Sequence, residues 1–357
     1  MVGRNILTHL AQQAPHHQFL AWIPNEWQEQ HQLLQGALGD HVEFRFTQAG
    51  MLKKLLTENI EIRRTLSQWK ADTLFSLGDT SLPMCPVPHL LLIHQAHLAY
   101  APSEWGFDAP AAIARRFWLM EKYLRTALPS VSAVTVQTQD MKARLAQRFN
   151  IPGDRISVIP SAVTALPGDS TPAQVDDGRP YICYIASPGP HKNHAILAQM
   201  MAELPERHSQ IICRLTVSSD ALPELTKNAR EYGVLDRFSF DGAMAANEAL
   251  RLLRGAQLTV IPSLLESFGL SYYEAMDVGC PIVAGDRDFA QEACGDAALY
   301  AETDNHQHFA EQVSAVLDSK DTAGAMIKKG HAQFETGHRG WDTVAADYLA
   351  LLEQLHS

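Results

Sequence analysis

No apolar run in this 357-residue chain approaches the length of a membrane-spanning helix, so it is not read as an integral membrane protein. No basic, apolar leader of the secretory kind is visible at Met1-Val2-Gly3-Arg4, and the chain is expected in the cytoplasm. Cysteine is scarce. Cys85, Cys183, Cys213, Cys280 and Cys294 are scattered without Cys-x-x-Cys spacing. That excludes a disulfide or zinc framework and reads instead as small buried hydrophobes in a reducing compartment. The 16 histidines are dispersed without metal-ligand spacing, and no metal site is expected. Positive charge is also short: 29 Lys and Arg face 40 Asp and Glu, a net charge of −11, which argues against nucleic acid as a partner. The deficit is uneven. Residues 1–163 hold 15 basic and 13 acidic residues, and the remainder holds 14 and 27. The near-neutral first half is thus the half suited to an acidic or membrane-borne partner.

What is present is alternation. Short apolar runs at Phe19–Ile23, Val42–Phe46, Thr73–Leu77, Leu90–Ile93, Ala133–Gln137 and Ile156–Ile159 read as strands, with helical patterns such as Ala111–Ala127 and Thr138–Arg148 between them. Residues 164–180, rich in Pro, Gly and small polar side chains, read as a linker. A second series follows at Tyr181–Ile185, Gln210–Val217, Phe238–Phe240, Leu258–Ile261, Ile282–Ala284 and Ala298–Tyr300. The expectation is an α/β protein of two Rossmann-like domains, 1–163 and 181–340, each on a parallel sheet, with a final helix in 341–357.

The densest signal lies between Gln257 and Ala284. An apolar strand, Leu258-Thr259-Val260-Ile261, runs into Pro262-Ser263-Leu264-Leu265-Glu266-Ser267-Phe268-Gly269. Helical spacing then begins, with Leu270, Tyr273, Ala275 and Met276 able to share one face, until Gly279 and Pro281 stop it. The N–H groups and positive dipole end of such a helix attract phosphate. Glu266 in the loop and Glu274 in the helix can each accept hydrogen bonds from paired sugar hydroxyls. An anion cradle with two hydroxyl readers suits a nucleotide-sugar. The plain alternative is a helix whose early glutamates only complement its dipole.

The string Pro-Ser, Glu-Ser-Phe-Gly-Leu, Glu-Ala-Met and Gly-Cys-Pro-Ile-Val-Ala resembles the E-x7-E signature of retaining glycosyltransferases of the GT-B fold, the family called GT4 or glycosyltransferase group 1. The resemblance implies two Rossmann-like domains facing each other across a cleft. It implies that Glu266 meets the transferred sugar and Glu274 the ribose. Backbone groups of Ser267, Phe268, Gly269 and Leu270 meet the diphosphate. Tyr181–His194 resembles the opening strand, loop and helix of the family's second domain, where Lys192 would neutralise the diphosphate. The family's usual arginine six residues earlier is here Ala186. His94, at the end of an apolar strand, matches a histidine that many members place beside the sugar. The final helix would cross back to the first domain.

Three further stretches stand out. Asp286-Arg287-Asp288 has Asp-x-Asp spacing but too few oxygen ligands around it for a magnesium site. Arg115–Arg125 is basic and aromatic; it suits a membrane surface or, more commonly, a core helix with solvated charges. Ile6, Leu7 and Leu10 follow Gly3 in a helical pattern resembling the family's first helix. The first domain is therefore expected to lack the family's usual first strand, which leaves a gap beside Phe19–Ile23.

The function expected is a metal-independent retaining hexosyltransferase in polysaccharide biosynthesis. It would use a nucleotide-sugar as donor substrate, need no further cofactor, and act on a glycan or lipid-linked acceptor in the cytoplasm or at the inner face of a membrane. Peripheral membrane contact would run through the first domain. The alternatives are another GT-B enzyme, such as an epimerase or phosphorylase, and a non-catalytic relative serving as a nucleotide-sugar-binding or scaffold subunit.

Overall fold

A computed structural model describes residues 2–25, 38–47, 57–163, 171, 178–337 and 339–356. The chain divides into two compact units. The first comprises residues 1–99, 111–162 and 339–357; the second comprises residues 100–110 and 163–338. Most of the 164–180 stretch read as a linker lies outside the described residues.

The first unit opens with helix α1 (Val2–Gln13). Its described strands form two parallel sheets. β1 (Phe19–Pro24) pairs with β2 (Val42–Thr47). β3 (Leu74–Ser76), β4 (His89–Leu92), β5 (Ala133–Val136) and β6 (Ile156–Val158) pair in that order. Among the described residues β1 has only β2 as a ladder partner and β3 only β4. All four residues of β4 are buried, as expected of a strand covered on both faces. Helices α2 (Ala111–Ala127) and α3 (Gln139–Phe149) fall where the 3.6-residue period put them. α3 starts at Thr138, whose hydroxyl accepts from the Met141 N–H and caps the first turn.

The second unit is built on one six-stranded parallel sheet. Its strands are β7 (Tyr181–Tyr184), β8 (Ile212–Leu215), β9 (Phe238–Phe240), β10 (Thr259–Ile261), β11 (Ile282–Gly285) and β12 (Ala298–Ala301), in the order β12-β11-β10-β7-β8-β9. The order reverses between β7 and β10, and the loops after the carboxyl ends of these two strands carry Lys192 and Glu266. A switch point of this kind is where open α/β sheets bind ligands. Helices of this unit include α4 (Ile196–Glu203), α5 (Leu270–Val278) and α6 (Asp288–Cys294), and the last helix of the sequence is α7 (Trp341–His356).

α7 belongs to the first unit, where Val344, Ala345 and Tyr348 share a core with Ile6 and Leu10 of α1 and with Leu90, Leu92 and Ile159. Removing that apolar surface from water is what holds the last helix of the sequence beside the first. Among the described residues no helix is long and apolar enough to cross a membrane.

Candidate donor-binding site

The loop after β10 is fixed before it reaches Glu266. Ser263 is fully buried, and its hydroxyl shares a 2.8 Å hydrogen bond with the Tyr184 hydroxyl from the end of β7. The Leu264 N–H donates to the His191 carbonyl at 2.7 Å. These two bonds tie the β10 loop to the β7 loop. They bring Lys192 and Glu266, 74 residues apart, into an ion pair with Nζ 2.5 Å from Oε1. Both side chains are mostly withdrawn from water, at 14% and 15% exposure, so the pair is little screened.

α5 follows at once. Gly269 stands before its first residue with φ +71°, and a Cβ there would fall 2.4 Å from the ring of Tyr272. Only glycine enters this helix without strain and collision. Leu270 and Ser271 lie in the first turn, where backbone N–H groups have no intrahelical acceptor. Phe268 is buried and stacks on Tyr273 at 4.5 Å. The buried side of α5 is formed by Tyr272, Ala275 and Met276, whereas Leu270, expected to share that side, is 39% exposed. A helix that starts at Leu270 has no preceding turn to cover its first side chain.

Glu274 sits one turn further, partly buried, and burial alone pushes its carboxyl up to about 7. Two imidazoles flank Lys192. His191 is held below its ordinary value by burial first and then by the Lys192 charge. His194, packed 4.9 Å from the Tyr184 ring, is lowered to about 4, chiefly by burial and then by Lys192 and His191. Both rings are therefore neutral at physiological pH, and the pair's one cation is Lys192. Ser267 lies in the same loop, partly buried. The Ala186 N–H donates to the Thr216 hydroxyl at 3.3 Å, so the position of the family's usual arginine is here a backbone anchor without charge.

His94 lies in the first unit, two residues beyond the end of β4. Asp79, 5% exposed, accepts from the backbone N–H groups of His94 (2.7 Å) and Gln95 (2.9 Å), and its other oxygen lies 3.4 Å from His94 Nε2. Asp79 was not singled out in the sequence. The only available signal is its place in a Gly-Asp turn after β3, and nothing local connects it to a residue 15 positions on.

Asp286-Arg287-Asp288 is occupied by protein partners. Asp286 accepts from Gln291 and Asp288 from the Tyr100 hydroxyl, while Arg287 donates to the Glu104 carbonyl. Among the described residues no cluster of three or more His, Cys, Asp or Glu side chains is arranged to hold a metal ion.

Residues 169–333 match the family model described as glycosyl transferases group 1. The chain is 29% identical over 285 residues to a D-inositol 3-phosphate glycosyltransferase of Corynebacterium efficiens, a match covering 74% of this chain and 65% of the relative. It is 25% identical over 256 residues to the 2-deoxystreptamine glucosyltransferase of Streptomyces kanamyceticus, covering 65% of this chain and 63% of the relative. The matches thus span less than two thirds of these relatives' length. Among solved structures, WaaG, a glycosyltransferase involved in lipopolysaccharide biosynthesis, superposes with a TM-score of 0.72 at 12% identity, over 98% of this chain and 95% of that one. HepE of Anabaena, solved with UDP and glucose, superposes with a TM-score of 0.71 at 14% identity, over 98% and 95%. The resemblance to group 1 glycosyltransferases read from the sequence is borne out, and the fold is that of the GT-B glycosyltransferases.

Proposed function

We propose that the protein is a retaining glycosyltransferase that moves a sugar from a nucleotide-sugar donor to a hydroxyl acceptor. The observation that carries this reading is the Lys192–Glu266 pair beside the N-terminus of α5, with Glu274 in that same helix. Negative charge grows on the diphosphate as the bond to the sugar breaks. Lys192 and the first-turn N–H groups of α5 offer it a preorganised positive field, which needs no nucleophile from the protein. Glu266 receives a hydroxyl of the transferred sugar and Glu274 the ribose hydroxyls. Asp79 already occupies the N–H groups of His94 and Gln95, so His94 would meet the sugar through its ring or carbonyl.

The relatives named above support a polyhydroxylated acceptor, and a cell-surface glycan or lipid-linked sugar is the class proposed. The test is hydrolysis and transfer with a panel of nucleotide-sugars. Because helix end and lysine supply the charge, turnover is expected to persist in excess EDTA. Loss with chelator and recovery with magnesium or manganese would refute metal independence. A second reading, a binding subunit without turnover, is favoured by the uncharged Ala186. It predicts nucleotide binding with no hydrolysis of any donor in the panel.

The membrane reading of α2 gains one support. Phe117 is buried, but Trp118 is 57% exposed, with Lys122 Nζ 5.8 Å over its ring and Arg115 and Arg116 exposed nearby. An exposed indole among cations suits the interface of an anionic bilayer, where each basic residue contributes about 1 kcal/mol. Binding to vesicles rich in anionic lipid is expected, and Trp118→Ala should weaken it roughly threefold to tenfold. Equal affinity for neutral and anionic vesicles would reject the idea.

A further inference from the structure

Residues 100–110 belong to the second unit, although Ala99 before them and Ala111 after them belong to the first. The segment has no regular structure beyond a single turn at Pro102–Glu104, yet it is anchored between Tyr100 and Gly106. Tyr100 is fully buried, and its hydroxyl donates to Asp288 Oδ1 at 3.0 Å. Its ring lies edge-on to Phe289, with centroids 6.4 Å apart. The Tyr100 carbonyl accepts from the indole N–H of Trp105 at 3.1 Å, and Trp105 is only 2% exposed. The Glu104 carboxylate turns back to accept from the Ala101 N–H at 2.7 Å, which leaves the Glu104 carbonyl to receive Arg287 Nη2, also at 2.7 Å. Gly106, at φ +77°, passes so close that a Cβ there would lie 3.2 Å from Arg287 Nη1 and 3.4 Å from Leu264 Cβ.

Leu264 is the link to the site. It is buried, its N–H is bound to the His191 carbonyl, and it stands two residues before Glu266. Lys192 follows His191 directly. A chain of contacts therefore runs from the segment through Leu264 to both loops that carry the ion pair. The Asp286-Arg287-Asp288 sequence, unexplained by the site chemistry, supplies the other anchors: Asp288 receives the Tyr100 hydroxyl and Arg287 grips the Glu104 carbonyl.

The geometry points to residues 100–110 as a strap that holds the Leu264–Glu266 turn in place, with Tyr100, Trp105 and Arg287 as positioning residues for Glu266. Its consequence for turnover rests on the function proposed above; the anchoring does not. A carboxylate on an irregular loop is held in a productive geometry only if its neighbours are locked, and small displacements cost large factors in rate. The strap closes the Leu264 side of that loop, as the Tyr184–Ser263 bond closes the strand side. None of the hydrogen bonds in this chain of anchors goes to Glu274 or α5, although α5 packs against α6, which carries Asp288 and Phe289.

The test compares the full-length parent with Tyr100→Phe, Arg287→Ala and the double variant. Tyr100→Phe keeps the buried ring, and Arg287→Lys, which keeps a donor for the Glu104 carbonyl, serves as rescue. Hydrogen exchange at residues 263–266 is expected to speed up about tenfold in the double variant, an opening easier by about 1.4 kcal/mol. UDP affinity should stay within about twofold of the parent, while kcat falls about tenfold and KM for the donor hardly moves. Arg287→Lys should recover much of both losses. Parent-like exchange at 263–266, with the strap's own amides loosened, would overturn the proposal. So would a loss of UDP affinity in step with kcat, since that is general destabilisation. A parent that binds none of UDP, GDP, ADP and CDP would sink the functional reading, and the exchange measurement would still decide the strap.

Discussion

Lys192→Ala is expected to lower turnover about 100-fold or more, the scale of removing one preorganised charge partner from a developing anion. The geometry makes the loss specific. Lys192 is held by Glu266 at 2.5 Å in a position with little water, and the imidazoles of His191 and His194 are both depressed toward neutrality. In the parent, burial first and then the Lys192 charge hold both imidazoles toward the neutral form, so the charge at this position is that of Lys192. Lys192→Arg should recover only part, because a planar guanidinium does not replace a compact ammonium beside one carboxylate oxygen. The same pair gives a readout independent of catalysis. Removing either partner leaves the other charge poorly solvated, which costs on the order of 3–5 kcal/mol when burial is complete and less here. The double variant Lys192→Met/Glu266→Gln should therefore be more stable than the sum of the single losses, with a coupling of about 1–3 kcal/mol measured by urea unfolding. Additive single losses would mean that the pair does not act as a unit. Turnover unchanged in Lys192→Ala would remove lysine from the diphosphate role.

Glu274→Gln is expected to weaken nucleotide binding by about 1.5–3 kcal/mol, the range for hydrogen bonds to a charged acceptor, while stabilising the folded protein. Both follow from a carboxyl that burial pushes up to about 7 from its ordinary 4.5. The folded state holds the proton more tightly than the unfolded chain does. Stability is therefore greatest below the unfolded value and declines as pH rises from about 4.5 to about 7, then levels off. At pH 8 the amide variant should gain on the order of 1–3 kcal/mol; at pH 4.5 it should gain little. Ligand binding has the opposite sign. In the proposed role ribose hydroxyls would donate to the ionised form, so nucleotide affinity of the parent should fall as pH drops below about 7, and that dependence should vanish in Glu274→Gln. Calorimetric titration across that range measures it, with the 2′-deoxynucleotide as a further control. Nucleotide affinity equal to the parent's at pH 8 would show that Glu274 does not read the ribose.

The sequence by itself determined the local elements and the resemblance to group 1 glycosyltransferases. The apolar run of β4 read as a strand and the period of Ala111–Ala127 as a helix, and the structure has both. Gly269 and Gly279 bracket a helix because each takes a φ of +71° there, a conformation other residues adopt at a cost. The glutamates at 266 and 274 became candidate site residues through the whole string around them, which carries the resemblance to group 1 glycosyltransferases.

Tertiary structure decided what no local rule contains. Lys192 and Glu266 meet because β7 and β10 are neighbours in the sheet, a pairing between residues 74 apart. Asp79 holds the backbone of His94 from a different turn, and residues 100–110 fold onto the second unit although they interrupt the sequence of the first. Asp286-Arg287-Asp288 has the spacing of a metal motif, but its groups are taken by Gln291, Glu104 and Tyr100. The carboxyl of Glu274 has a raised proton affinity because packing removes its water, and water loss is a property of the folded surroundings rather than of the residue. Spacing along the chain encodes which side chains an element presents; solvation and partnership depend on which elements become neighbours.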